Sequence, residues 1–84
     1  MKLISDHTFG GSRFKEFSHG EATVSFMENW AGKRLLAFSP AQPPPFQREV
    51  ATKLGIDLSK PHKAFSARGT DFYIQSAENC RTVA

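Results

Sequence analysis

Pro40-Ala41-Gln42-Pro43-Pro44-Pro45 divides this chain. Consecutive prolines lack backbone N–H groups and hold φ near an extended value, so neither a strand ladder nor a helix interior can run through them. An aromatic, strand-like half precedes the block, and a helix followed by a basic stretch comes after it.

On the C-terminal side, Phe46, Val50 and Leu54 recur at intervals of four with Ala51 beside them, opposite Arg48, Glu49 and Lys53. That spacing predicts an amphipathic helix. Pro45 suits its first turn, where a missing N–H has no intrahelical partner, and Gly55 is placed to end it in the left-handed conformation. In Asp71 to Ser76, Phe72 and Ile74 alternate with Tyr73 and Gln75. This predicts a strand with Tyr73 and Gln75 on its solvent side.

On the N-terminal side, Glu21 to Glu28 places Ala22, Val24 and Phe26 on one face and Thr23 and Ser25 on the other, the period of a half-buried strand. Asn29-Trp30-Ala31-Gly32 supplies turn residues before a second run, Lys33 to Ser39, whose apolar residues are Leu35, Leu36 and Phe38. Arg13 to Ser18, closed by His19-Gly20, predicts a preceding strand, although the Phe14/Phe17 spacing also suits a helical turn. Phe9-Gly10-Gly11-Ser12 reads as a loop, and Lys2 to Ser5 as a short edge strand or a frayed end. The order β-β-β-α-β predicts an α+β fold: a three- to four-stranded antiparallel sheet with one amphipathic helix packed on one face. Residues 1–84 are expected to form a single small domain, with a mobile polar tail over 77–84.

A chain of 84 residues has room for one core, and at this size about 60 to 65% of the unfolded surface is buried. An apolar fraction of 39% with eight Phe, one Trp and one Tyr excludes a disordered chain. The single cysteine, Cys80, cannot close an intrachain disulfide, which points to a reducing, cytoplasmic setting. Lys2, Leu3 and Ile4 fall far short of a signal peptide or a membrane span. The start at Met1 leads us to expect a stand-alone product whose partner is a separate molecule. Open sheet edges and a thin core lead us to expect pairing into a homodimer.

Eleven Lys+Arg against eight Asp+Glu give a net charge of +3, which favours anionic partners. Lys60 to Gly69 holds Lys60, His62, Lys63 and Arg68 without an acid. These cations can pair with phosphates while Phe65 offers a face for base stacking. Arg48 and Lys53 on the helix, with Tyr73 on the last strand, extend the expected nucleic-acid-binding set. The alternative is a solvated loop in which Phe65 plugs the core. Trp30, followed by Lys33 and Arg34, is either an anchor for a protein partner or stacked base, or a lid folded over the core.

Gln47 to Phe65 resembles the first half of a helix-turn-helix in the Ala51/Gly55 spacing, but Pro61 falls where the recognition helix would run. An ordinary core-packing helix fits better. His19 with Glu21 is the pair best placed for metal-independent acid–base cleavage of RNA, although their spacing adds no support. No cofactor or metal site is expected, for the histidines and Cys80 lack paired ligand spacing. Gly10-Gly11-Ser12 lacks the ending of a phosphate loop. The first expectation is therefore a small basic, non-enzymatic protein that docks on nucleic acid or a nucleoprotein assembly, with no membrane involved. The second is a protein-binding regulator or inhibitor acting through a sheet face or edge and Trp30. A metal-independent RNase stands third.

Overall fold

The computed structural model describes residues 1–76; the tail 77–84, with Cys80, lies outside the described residues. Six strands and one helix follow in the order β1 (Lys2–Phe9), β2 (Ser12–His19), β3 (Ala22–Glu28), β4 (Arg34–Ser39), α1 (Pro44–Lys53), β5 (Lys63–Ala67) and β6 (Thr70–Gln75). All pair antiparallel in one sheet of spatial order β1-β2-β3-β4-β6-β5. The class is α+β as expected. The sheet has six strands where three to four were expected.

The difference lies at the sheet edges. In β1 nearly every residue is exposed and polar and apolar side chains do not alternate, so no period-2 signal marks it. It forms because Gly10-Gly11, both with positive φ, turn it back on β2 with Phe9 opposite Ser12. The expected loop at Phe9 to Ser12 is thus two strand ends and a tight turn. β5 is exposed along its whole length and falls within the basic stretch that had read as a loop. Its pairing with β6 is set by a two-residue turn in which Arg68 and Gly69 both take positive φ. An Arg in that conformation is uncommon, and the turn went unread for that reason. Among the described residues no second helix follows α1, so the helix-turn-helix resemblance ends at Gly55.

The core lies between α1 and the central strands. Val24 and Phe26 from β3, Leu36 and Phe38 from β4, Val50 and Ala51 from α1, and Ile56 beyond it form one buried cluster, against which Phe17, Phe46, Leu54, Leu58 and Tyr73 pack. Pro44 and Pro45 occupy the first helical positions, where no N–H is needed. At the other end the Gly55 N–H donates to Thr52 O at 3.1 Å and the Ile56 N–H to Ala51 O at 2.8 Å. This double bond pattern, with Gly55 at φ +79°, closes the helix and delivers Ile56 into the core at 1% exposure.

Tyr73 and Gln75 correct the reading of the last strand. Leu36 pairs with Tyr73 and Arg34 with Gln75, so both side chains project to the helix side, and Gln75 is 1% exposed. Phe72 and Ile74 occupy the opposite face and are half-buried. The alternation was correct and its phase was inverted, because here both faces of the strand carry apolar load.

Gln47, 3% exposed on α1, organises the polar contacts beneath the helix. Its Nε2 donates to Gln42 O at 2.8 Å and to Asp71 Oδ2 at 2.7 Å, and its Oε1 accepts from the Tyr73 hydroxyl. Burial raises the Tyr73 phenol above its ordinary value. Hydrogen bonds from Ser66 and then Gln47 hold the Asp71 carboxyl below the usual carboxylate range. Asp57 is held down in the same way by Ser59, and Asp6 by Arg13. Groups with depressed folded pKa values contribute stability above the ordinary aspartate range, and that stability is lost as pH falls through the lowered values. Thermal midpoints should therefore hold steady from neutral pH down and fall below about pH 4. Asp71→Asn should shrink that acid-side drop, whereas an identical profile in the variant would remove Asp71 from the account.

Candidate functional site

The connection from α1 to β5 carries Asp57, Lys60 and His62 and leads into Lys63. Asp57 starts it: its Oδ1 accepts from the Ser59 N–H at 3.0 Å and the Ser59 hydroxyl at 2.5 Å, while its carbonyl accepts from the Lys60 N–H at 3.1 Å. A short polar side chain that bonds its own backbone two residues on is an efficient turn former. Gln75 fastens this turn to the sheet. Its Oε1 accepts from the Asp57 N–H at 2.9 Å, and its Nε2 donates to Asp57 O at 2.6 Å and Pro61 O at 3.2 Å. A side-chain amide can satisfy a strand-like donor and acceptor together, and buried polar groups need such partners.

The segment so held brings Pro61, His62 and Lys63 against Lys33, which precedes β4, and against the end of β6 at Ile74, Gln75 and Ser76. Together they line an open cleft of about 350 Å³. Lys33 and Lys63 are both exposed, and none of the described lining residues is acidic. The His62 Nδ1–H donates to Lys60 O at 2.8 Å, which leaves Nε2 as the ring's outward nitrogen, and the ring lies 6.0 Å from that of Tyr73. Nearby arginines are already engaged. Arg34 pairs with Glu28 and donates to Gly55 O, both at 2.6 Å, and Arg13 pairs with Asp6 at 3.0 Å.

The cations expected to act together are divided among several places. His62 and Lys63 stay together and are joined by Lys33, which the sequence had grouped with Trp30, while Lys60 lies in the turn before them and does not line the cleft. Arg48 and Lys53 are exposed on α1, and Lys53 pairs with Glu49 at 3.3 Å. Arg68 sits in the β5–β6 turn, at the opposite end of β5 from Lys63. Tyr73 is committed to Gln47 beneath the helix. Phe65 does not plug the core: it is 48% exposed and stacks on Phe72 at 4.9 Å on the face away from α1. Lys33 could have been found from sequence only by knowing that β4 and β6 are neighbours.

Trp30 is no lid. It is 81% exposed in the β3–β4 turn, its Cβ against Gly11 of the neighbouring turn, and Phe9 at the end of β1 is 78% exposed. The two bare rings belong to adjacent turns at one end of the sheet, the end to which Lys33 also belongs. The histidines are separate: His7 stacks on Phe14 at 5.2 Å, and His19 stacks on Phe46 at 4.2 Å beside the turn that holds Glu21. No group of three His, Cys, Asp or Glu side chains suited to a metal ion occurs among the described residues. Nor is any helix among them long and apolar enough to cross a membrane. Compared with known proteins, the chain matches no family model, no curated protein and no solved structure.

Proposed function

We propose that this protein is a non-enzymatic binding module that docks on nucleic acid, alone or within a nucleoprotein assembly, through the cleft of Lys33, His62 and Lys63. The observation that carries the reading is the meeting of two exposed lysines from separate parts of the chain in one cleft whose described lining contains no carboxylate. Two ammonium groups with no acid among the described lining residues attract a phosphate backbone, and the bare Trp30 and Phe9 rings at the same end of the sheet offer faces on which bases stack. Gln75 holds the segment in place, so the cleft is formed before a ligand arrives.

Binding should depend on salt. If three phosphates are engaged, affinity for a single-stranded oligonucleotide should fall roughly 20-fold between about 50 and about 200 mM salt. The triple change Lys33→Ala, Lys60→Ala and Lys63→Ala should abolish binding, whereas Arg48→Ala on the helix should leave most of it. Fluorescence anisotropy with a labelled oligonucleotide measures both effects. Salt-independent binding, or full binding by the triple variant, would reject the reading.

One observation favours a second reading, a protein-binding regulator. Trp30 is 81% exposed on a turn, and tryptophan is among the side chains enriched at the hot spots of protein interfaces. A pulldown from cell extract before and after nuclease digestion separates the two, for a partner retained after digestion and lost with Trp30→Ala is a protein.

A further inference from the structure

The face of the sheet away from α1 carries an apolar band that the anion cleft leaves unexplained. One row crosses all six strands in register: His7, Phe14, Met27, Leu35, Ile74 and Lys63. The next row, in the same strand order, is Ser5, Glu16, Ser25, Ala37, Phe72 and Phe65. Their two ends differ in shape. On the β5–β6 side, Phe65 and Phe72 stand as a stacked pair 4.9 Å apart with their planes within 14°. Towards β1–β4, the small Ser5 and Ser25 leave a depression of about 310 Å³ whose lining also includes Phe14, Met27 and the charged Lys15 and Glu16.

We infer that this face is the interface of a homodimer, in which the Phe65–Phe72 pair of each copy fills the depression of the other. A two-fold axis parallel to the strands and running between β3 and β4 lays β1, β2 and β3 over β5, β6 and β4 of the second copy. Each row then stays over its equal. Met27 meets Leu35, Phe14 meets Ile74, and Phe65 and Phe72 arrive over Ser5 and Glu16. The contact is self-complementary, as a closed two-fold interface must be. A cavity of about 150 Å³ accepts a benzene ring, so the depression has room for both rings. In this register Lys63 of the second copy comes over His7 at the rim, and Glu16 lies beneath Phe72.

The area suffices. Six strands about 4.8 Å apart and about seven residues long span roughly 29 by 23 Å, a projection near 650 Å² that the corrugated side chains enlarge towards the ~800 Å² per partner of a stable interface. Sheets packed face to face about 10 Å apart are a standard solution for apolar faces. Lys33 lies at the end of the sheet beyond the first row, whereas Lys63 and Ile74 of the cleft belong to that row, so this packing covers part of the cleft wall at one end of the dimer.

Sedimentation equilibrium of the full chain, into the high micromolar range, tests the inference. The expected result is a dimer mass. Phe65→Ser removes part of the inserted pair from an exposed edge strand, and Ser25→Tyr fills the depression that receives it. Each should weaken dimerisation by roughly thirty-fold, the loss expected of a hot-spot residue. Circular dichroism should show both variants folded, and neither should lose oligonucleotide binding at low protein concentration. A monomeric native protein overturns the inference, as does a dimer that both variants leave intact, which would place the contact at an edge strand.

Discussion

Gln75→Met should lower the unfolding free energy by about 2 to 4 kcal/mol while leaving the core filled. Methionine matches glutamine in length and volume, so packing changes little. What is lost is the set of hydrogen bonds to Asp57 N, Asp57 O and Pro61 O, at 2.9, 2.6 and 3.2 Å. Their backbone partners would be left to find water at a site where Gln75 is 1% exposed. Against a total stability of roughly 4 to 13 kcal/mol for a chain of this length, that loss is severe. Urea denaturation measures it. A functional effect should accompany it, because the segment released carries Lys60 and leads into Lys63. Under conditions where the variant remains folded, oligonucleotide affinity should fall further than Lys60→Ala alone lowers it. A variant with the parent's urea midpoint would show that the amide does not clamp the loop.

Phe38→Ala should cost about 3 to 5 kcal/mol, the range for deleting a buried aromatic ring. Phe38 is 0% exposed, sits opposite Val24 on β3, and meets the rings of Phe46 and Tyr73 edge-on at 6.2 and 6.1 Å. It therefore joins the central strands, the start of α1 and the polar group around Gln47. The surrounding strands are held by their ladders and cannot close around the cavity, so little of the loss is recovered. The thermal midpoint should drop by at least about 12 °C. Leu3→Ala provides the contrast, because Leu3 on edge strand β1 is 48% exposed and its removal should shift the midpoint little. Similar drops for both residues would contradict a core centred beneath α1.

Much of this architecture was legible in the chain, and the parts that were not share a cause. The strand over Ala22–Glu28 was found because burial of one face imposes a period of two, that over Arg34–Ser39 from its apolar run after a turn, and that over Thr70–Gln75 from an alternation whose phase was inverted. The helix was found because Pro44-Pro45 and Gly55 bracket an apolar repeat of four. β5 was missed, and β1 was anticipated only over Lys2 to Ser5 as a short edge strand or a frayed end, because edge strands exposed to water need no such pattern; backbone hydrogen bonds and a tight turn suffice. Gln47 and Gln75 escaped notice because glutamine is ordinarily a surface residue, and only tertiary packing creates the buried amide-sized sites that they fill.

By itself, then, the sequence determined the α+β class, the division at the prolines, the helix with both its ends, and an acid-free basic stretch. Local chemistry settles each of these: proline's missing donor, the repeat of apolar side chains, and the count of charges. Tertiary structure alone decided which faces of β6 look inward, that Lys33 joins Lys63 while Arg48, Lys53 and Arg68 stand apart, and that apolar side chains line up across the face opposite α1. Those outcomes depend on which strands become neighbours and in what register, and register is set by contacts between residues far apart in the chain.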